Sequence, residues 1–291
     1  MRMITMSNFN LPVRGLPPSY LDEYIKKAYA SYKYQLDSNF YKKLVSPKDY
    51  YECSRLWELF FCDVIHKHHK DKLLSVEPFD GKGGPDFKIT INGTPILVEC
   101  VTPQNADKVE DSVNKDIGED NQKRLEIRIS NSIINKKDQY EKWLKNGVIK
   151  GDEIFILAIG LYSQFIPIDL IMLFDYTRCL LPAGPFYNTI AYVNGELEVS
   201  NYYQFKKDNK KANHSLVNKN LFINQEYEFI SSILFSKDLY DPKHFSDHSP
   251  KNDFHIYHNP LARNKCPTNL IASKEEYEIS FECGMARLIP I

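Results

Sequence analysis

Two acidic residues flank a predicted β-hairpin, and their types and spacing suit a shared metal ion. Asp86 follows Gly83-Gly84-Pro85, and Glu99 comes thirteen residues after Asp86, within the apolar run 95–101. Between them, Asn92-Gly93 separates two runs rich in β-forming residues, which is a strong signal of a two-residue hairpin turn. Strand pairing can therefore bring both carboxylates to one edge of a sheet. Carboxylates this close repel each other unless a cation lies between them, and such hard oxygen ligands suit Mg2+ or Mn2+.

A helix carrying a third acid is expected before this hairpin. Ser46-Pro47 favours a helix start, because proline fits the first helical position, and apolar residues recur at helical spacing from 51 to 65. Glu58 lies amid this apolar face, where an acid is costly without a partner. The structural interpretation is an amphipathic helix in which Glu58 pairs with a Lys or Arg across the core. The run His66-Lys67-His68-His69-Lys70 fits cations in the last turn of a helix better than a metal cluster.

At these residues the sequence resembles the PD-(D/E)XK, or restriction-endonuclease-like, nuclease superfamily. The family motif is Pro-Asp, a β-turn and then Asp/Glu-x-Lys on the next strand, which Pro85-Asp86 and Glu99 match. Val101 stands at the position of the motif lysine. The resemblance implies metal-dependent hydrolysis of phosphodiester bonds in nucleic acid, with Asp86 and Glu99 as catalytic ligands of Mg2+ or Mn2+. It also implies that Glu58 is a further metal ligand, because the helix before the hairpin often supplies one in this family.

A basic helix is expected after the hairpin and could supply the missing cation. Residues 121–150 carry eight Lys or Arg against three acids, and Gly147 is placed to end the helix. In some members of the resembled family the catalytic lysine lies on this helix instead of the strand. Lys136 is the first choice for that role, with Lys137 or Arg128 as alternatives. A solvated surface is the competing interpretation. The residues expected to contact phosphates are Arg128, Lys137, Lys123 and Arg124.

The predicted elements follow the order αβββαβ, which is the common core of the resembled family. The apolar run Ile154–Gly160 is typical of a strand buried on both faces. We therefore expect an α/β (α+β) fold with an N-terminal arm and helix over 1–47, the helix reaching about residue 36, and a nuclease-like core over 48–165. A β-rich extension of the sheet, packed on the core, is expected over 166–291, because no linker composition marks a boundary.

The sequence also predicts a strand before the hairpin, an acidic loop before the basic helix, and a series of elements after the core. The strand is predicted at 73–76 and the loop or lid at 104–120. Beyond the core, a short helix is predicted at 166–174, a turn at 182–185, and strands at 189–193, 196–199, 230–235, 254–257, 277–281 and 285–291.

Two polar stretches in the second half allow both a functional and a structural interpretation. His258 and Arg263 could bind an anion, although the turn signal Asn259-Pro260 between them is a sufficient explanation. Five lysines at 206, 207, 210, 211 and 219 form a second basic patch in an expected loop. Such loops can contact phosphates, and more often they are solvated surface.

Composition places the chain among ordinary globular proteins. Its 291 residues, with 43% hydrophobic and 26% charged side chains, can bury a substantial core. The net charge of −1 gives no global attraction to nucleic acid, so any attraction must come from local patches. Six cysteines without CxxC spacing favour reduced thiols and a cytoplasmic location. The N-terminus lacks the apolar region of a secretory signal, and no apolar run is long enough to span a membrane.

Hypotheses from different functional classes follow. The first is an enzyme, a divalent-metal-dependent nuclease, for which DNA is favoured over RNA as the partner. The alternative is a degenerate nuclease-like fold that acts as a binding or regulatory module, which Val101 and the near-neutral charge favour. A secreted bacterial effector with a protein target is a third reading of the same residues. A homo-oligomer stays open for each of them.

Overall fold

A computed structural model describes the parts of the chain on which the following account rests. They are residues 18–36, 40, 44, 49–69, 74–78, 83–103, 119–161, 175–181, 183–193, 196–205, 220–236, 254–282 and 285–291. The described residues form a mixed α/β architecture in which ten strands make one sheet with helices on both faces. The predicted mixed α/β (α+β) class is therefore confirmed, and the nuclease-like core stays a prediction.

Two helices cover one face of the sheet. Helix α1 (Pro18–Tyr32) packs on α2 (Asp49–His69), and the Tyr24 hydroxyl donates a hydrogen bond to the buried Asp63 carboxylate over 3.0 Å. Helix α1 ends before the predicted residue 36, because the chain turns after Tyr32, where the Gln35 N–H donates to the Tyr32 carbonyl over 2.8 Å. The expected start of α2 at Ser46-Pro47 lies outside the described residues.

Three antiparallel strands follow α2, as predicted. Strands β1 (Leu74–Pro78), β2 (Phe87–Ile91) and β3 (Thr94–Val101) are paired in sequence order. Asn92 and Gly93 join β2 to β3 with φ angles of 50° and 82°. Positive φ at both central residues is what a two-residue type I′ turn requires, and Asn-Gly adopts it with little strain.

A helical crossover connects β3 to the next strand. Helix α3 (Glu119–Lys145) lies between β3 and the parallel strand β4 (Ile154–Gly160). The helix ends at Lys145, and Gly147, which has a φ of 67°, caps it as predicted. The N–H groups of Gly147 and Val148 donate to the carbonyls of Leu144 and Trp143 over 3.1 and 2.9 Å, the pattern of a Schellman cap.

The second half of the chain adds its strands to the same sheet. After the short helix α4 (Thr177–Leu180) come β5 (Ala183–Val193), β6 (Glu196–Phe205), β7 (Ser232–Ser236), β8 (Phe254–His258), β9 (Glu275–Glu282) and β10 (Met285–Pro290). The spatial order is β1-β2-β3-β4-β7-β8-β9-β10-β6-β5. Strand β7 pairs parallel to β4, so β4 is central, which explains its continuous apolar sequence.

The turn predicted at 182–185 is wrong for its described residues, 183–185, which belong to β5. Strand β5 lies at the edge of the sheet, where proline is tolerated, and its register with β6 is irregular between Ala183 and Phe186. The loop predicted at 104–120 is wrong at 119–120, which begin α3, and its other residues lie outside the described part. The helix predicted at 166–174 and the lysine patch at 206–219 also lie outside it.

Side-chain alternation along β3 separates two cores. The α2-side core contains Ile96, Val98 and Cys100 of this strand, together with Trp57 and other residues of α2. The α3-side core contains Leu97 and Val101, together with Ile129, Ile133 and Tyr140 of α3. Glu99 is two residues from each of Leu97 and Val101, so it lies on the α3 side of the sheet.

Cysteines in the described structure are unbridged. Cys62, Cys100 and Cys179 are buried thiols, and Cys266 is half-buried.

Candidate metal centre

The hairpin places Asp86 directly across from Glu99. Phe87 pairs with Val98, so the next residue pair away from the hairpin turn sets Asp86 opposite Glu99, on the α3 side of the sheet. The Cys100 N–H donates to Oδ2 of Asp86 over 2.8 Å, which fixes this carboxylate against β3. The structure thus brings together the two acids that the sequence places on either side of the Asn-Gly turn.

Helix α3 brings an ammonium group to the same carboxylate. Nζ of Lys136 donates to Oε1 of Glu99 over 2.5 Å. Ile133 and Tyr140 anchor the helix in the α3-side core on either side of Lys136 along the chain, so the lysine leaves the helix at the margin of the packed face. Its side chain is 19% exposed. Lys136 therefore brings its ammonium group to the carboxylate of Glu99.

Gln139 is a member of this cluster that the sequence reasoning missed. Its Oε1 accepts a second hydrogen bond from Nζ of Lys136 over 2.9 Å. The signal was the spacing, because residues three apart on a helix are neighbours on its surface. Gln139 and Glu99 together fix the position of the Lys136 ammonium.

One oxygen of Glu99 has no hydrogen-bond partner within the described structure. Glu99 is 5% exposed, and its Oε2 is buried without a donor, whereas Oε1 accepts from Lys136. Burial, followed by the negative charge of Asp86, raises the pKa of Glu99 to about 8, although Lys136 and the Asp86 backbone oppose the shift. Glu99 thus holds its proton more tightly than an exposed glutamate, and Lys136 offsets only part of the shift in pKa.

The pair fits a small hard cation. Mg2+ commonly keeps several waters and is held by one or two carboxylates together with substrate phosphates. A cation at Oε2 of Glu99 would satisfy the buried oxygen and offset the repulsion from Asp86. Among the residues that the structure describes, no group of three or more His, Cys, Asp or Glu side chains could hold a metal ion. In the described residues, a cation at this pair would therefore have two carboxylates as its protein ligands.

Glu58 is not grouped with this pair as a third ligand. It is buried, as its apolar surroundings predicted, but its carboxylate is ion-paired with Arg55 on the same helix, and α2 packs on the opposite face of the sheet. Its charge still reaches β3. Burial, then the charges of Asp86, Glu58 and Glu99, raise the pKa of the Cys100 thiol well above its usual range. The basic partner that the sequence predicted across the core lies on the same helix, as Arg55, and direct ligation by Glu58 stays a prediction.

The other predicted basic residues occupy different surroundings. Nζ of Lys137 lies 3.3 Å from Oε2 of Glu226 and 3.9 Å from Oε1 of Glu141, so its ammonium is directed away from Glu99. Arg128 is half-buried, about 12 Å along α3 from Lys136 at the helical rise. Lys123 and Arg124 are in α3, and their side chains lie outside the described part.

The polar stretch after β8 is engaged in internal contacts. Nδ1 of His258 lies 2.9 Å from Oγ of Ser232, and Nε2 lies 2.6 Å from Oε1 of Glu276. Arg263 forms an ion pair with Glu228. The contacts of His258 and the ion pair of Arg263 both favour the structural interpretation of this stretch over anion binding.

In the described residues, no helix has the length and apolar character needed to cross a lipid bilayer. No family model, no curated protein and no solved structure matches this chain.

Proposed function

We propose that this protein is a divalent-metal-dependent nuclease that hydrolyses phosphodiester bonds of nucleic acid at the Asp86–Glu99 pair. The observation that carries the proposal is the buried carboxyl of Glu99. One of its oxygens accepts from a lysine ammonium, the other has no hydrogen-bond partner in the described structure, and the charge of Asp86 acts on the group. Perturbed carboxyl groups of this kind concentrate at functional sites.

Asp86 and Glu99 would hold Mg2+ or Mn2+, and an ion held there would supply a more acidic water and offset the charge of the phosphate. Lys136 would orient the attacking water or the leaving oxygen, because its ammonium is a charged donor fixed at the site. Gln139 would keep that ammonium in place through its own hydrogen bond. Glu58 would act from a distance through its negative charge or through ordered water.

The αβββαβ order of the elements supports a restriction-endonuclease-like core. So does the substitution of a helix lysine for the strand lysine. Val101 is 5% exposed and belongs to the α3-side core, where an ammonium group would be costly without partners. Lys136 on α3 places an ammonium group at Glu99 while its side chain stays partly exposed.

A cleavage assay tests this proposal. The protein is incubated with linear DNA and with RNA in Mg2+, in Mn2+ and in EDTA, alongside Asp86→Ala and the matched control Asp152→Ala, an exposed acid before β4. We expect metal-dependent cleavage by the wild type and the control, faster on DNA, and none by Asp86→Ala. Circular dichroism shows that each variant is folded. Equal cleavage by Asp86→Ala and wild type would remove the assignment.

A binding or regulatory module is the second candidate, and one observation favours it. Lys136 already neutralises part of the Glu99 charge in the protein itself, so the pair could persist without a metal ion. Calorimetric titration with Mn2+ separates the two candidates. An enzyme takes up the ion in the wild type and loses uptake in Asp86→Ala, whereas a binding remnant shows no uptake in either.

A further inference from the structure

Strand β5 forms one edge of the ten-stranded sheet. It is the last strand in the spatial order, and in the described residues the strand that it pairs with is β6. Alternate residues of a strand turn their N–H and C=O groups to the same side, so the side of β5 away from β6 carries a row of backbone donors and acceptors. Such a row is a template for pairing with another strand.

The two edges of the sheet differ in length and in charge. Strand β1, at the other edge, has five residues, which include Glu77 and end at Pro78. A short edge strand, a charge and a proline all hinder pairing with a further strand. Strand β5 has eleven residues, and its residues 186–193, called here the β5 edge, contain no charged residue and no proline. Six of these eight residues are aromatic or β-branched, the types that are enriched in strands, so the β5 edge lacks the features that keep an edge unpaired.

The outer part of the β5–β6 hairpin has fewer strands than the rest of the sheet. Strand β10 pairs with β6 at residues 202–204. Beyond that contact, the register runs from Asn188 opposite Asn201 to Val193 opposite Glu196, and the strands paired there in the described structure are β5 and β6. A two-stranded hairpin is marginally stable in water, and a third strand increases its stability. Pairing along the β5 edge would supply that third strand.

A second copy of the chain fits this edge. Two identical strands related by a two-fold axis perpendicular to the sheet are antiparallel, because the rotation reverses the direction of the strand. Self-pairing of the uncharged β5 edge sets no like charges opposite each other, which would be destabilising across strands. Pairing of β5 with β1 of another copy would instead be heterologous, and the charge and the proline of β1 oppose it.

We propose that the protein forms a two-fold symmetric dimer in which the β5 edges of two chains pair antiparallel and join their sheets. The axis would pass near Thr189 or Ile190, the residues at the middle of the edge. The candidate metal centre lies at β2 and β3, at the opposite end of the strand order, so the dimer would not cover it. The dimer would form whether or not the Asp86–Glu99 pair binds a metal ion.

Thr189 is the position for the test, because it lies at the middle of the β5 edge and opposite Ser200 of β6. Thr189→Lys would bring two positive charges close together across the axis, and Thr189→Glu would do the same with two negative charges. Ser200→Lys is the matched control, since it adds the same charge to the same row of the hairpin, but on the inner strand.

Analytical ultracentrifugation in EDTA measures the mass against protein concentration. We expect the wild type and Ser200→Lys to reach the mass of two 33.9-kDa chains as the concentration rises. Thr189→Lys and Thr189→Glu should each stay at the mass of one chain. An equal mixture of these two variants should regain the mass of two chains, because opposite charges then meet across the axis, and this recovery shows that both variants are folded.

Hydrogen exchange gives a second measurement, which needs no substitution. Peptides that cover the β5 edge should exchange more slowly at concentrations at which the dimer forms than after dilution, because pairing protects the outer amides. Peptides from the central strand β4 should exchange equally in both conditions.

The contrary outcomes are distinct. A wild type with the mass of one chain at every concentration overturns the proposal. So does a dimer that persists in Thr189→Lys, or exchange of the β5 edge that is independent of concentration, because the dimer would then use another surface. Equal loss of the dimer in Ser200→Lys, or no recovery in the mixture, also overturns it, since the effect would reflect overall charge or misfolding. The cleavage assay tests the nuclease function separately, so a monomer that cleaves DNA refutes only the dimer.

Discussion

The buried carboxyl of Glu99 should make the metal-free protein less stable as the pH rises. Burial and the charge of Asp86 raise the pKa of Glu99 from 4.5 to about 8 in the folded protein. An acid with a raised pKa holds its proton in the folded state at pH values where the unfolded chain has lost it. The free energy of unfolding therefore falls with increasing pH between these two pKa values.

The size of the effect follows from proton linkage. Within this window one group lowers the free energy of unfolding by at most about 1.4 kcal/mol for each pH unit. Between about pH 5.5 and pH 7.5 the contribution of Glu99 is then on the order of 2–3 kcal/mol. Glu99→Gln cannot ionise, so its stability should lack this component. Glu99 largely keeps its proton in the folded protein across this window, so the amide of the variant replaces a mainly neutral carboxyl beside Lys136. Any cost of that exchange is similar at both pH values and leaves the comparison of slopes intact.

Urea denaturation in EDTA, followed by circular dichroism, measures the difference. We compare the wild type, Glu99→Gln and the control Glu141→Gln, in which the altered carboxylate is 61% exposed. The wild type and the control should lose stability with rising pH more steeply than Glu99→Gln. Equal pH slopes in all three proteins would refute the reasoning, because Glu99 would then titrate like an exposed acid. Added Mn2+ should stabilise the wild type most at the higher pH, since the ion binds the ionised carboxylate.

Three other predictions concern packing, catalysis and the polar contacts after β8. Gly160→Ala should lower the free energy of unfolding by about 1–3 kcal/mol or more, because the new methyl group would lie 2.5 Å from the ring of Trp57; urea denaturation measures it. Lys136→Ala should reduce metal-dependent cleavage by roughly a hundredfold to a thousandfold, since a charged donor is lost at the site; steady-state cleavage rates measure it. His258→Ala should cost about 1–3 kcal/mol of stability, because Glu276 and Ser232 each lose a buried hydrogen-bond partner; the denaturation midpoint measures it.

Each of these predictions has a control and a contrary outcome. The indole of Trp57 donates to the Ala158 carbonyl over 2.7 Å, which restrains the ring, so an unchanged midpoint in Gly160→Ala would show that the ring moves freely. Lys137→Ala should cleave like the wild type, and an equal loss in both lysine variants would point to general charge. Arg263→Ala removes an exposed ion pair and should change stability by less than about 1 kcal/mol. A similar small effect in His258→Ala would contradict the buried-pair account.

Local patterns sufficed to predict the hairpin and the elements around it. Asn92-Gly93 fixes the turn type by backbone sterics alone, and once the turn is fixed the register between β2 and β3 follows. Gly147 predicts the end of α3 in the same way, because its conformation is local. The apolar run of β4 predicts burial on both faces. The juxtaposition of Asp86 and Glu99 could be predicted from the sequence, because this one turn fixes which residues of β2 and β3 lie opposite each other.

Features that depend on distant elements could not be predicted in the same way. The environment of Glu58 depends on which face of the sheet α2 covers, and nothing local to the helix contains that information. Pro185 looked like part of a turn, because the sequence does not show that β5 is an edge strand. Gln139 acquires its role only when the position of the Lys136 ammonium is known.

The placement of the lysine follows from the topology of the sheet. With β4 paired between β3 and β7, the strands beneath α3 are buried on both faces, and Val101 must contribute an apolar side chain to the α3-side core. A lysine there would have to bury its stem and bring its charge out past the helix. A lysine on α3 avoids both costs, because the margin of the helix is partly solvated and its ammonium already contacts Glu99. The proposed phosphate chemistry would depend on where the ammonium lies and not on which element carries it, so a covered β3 favours a helix-borne cation.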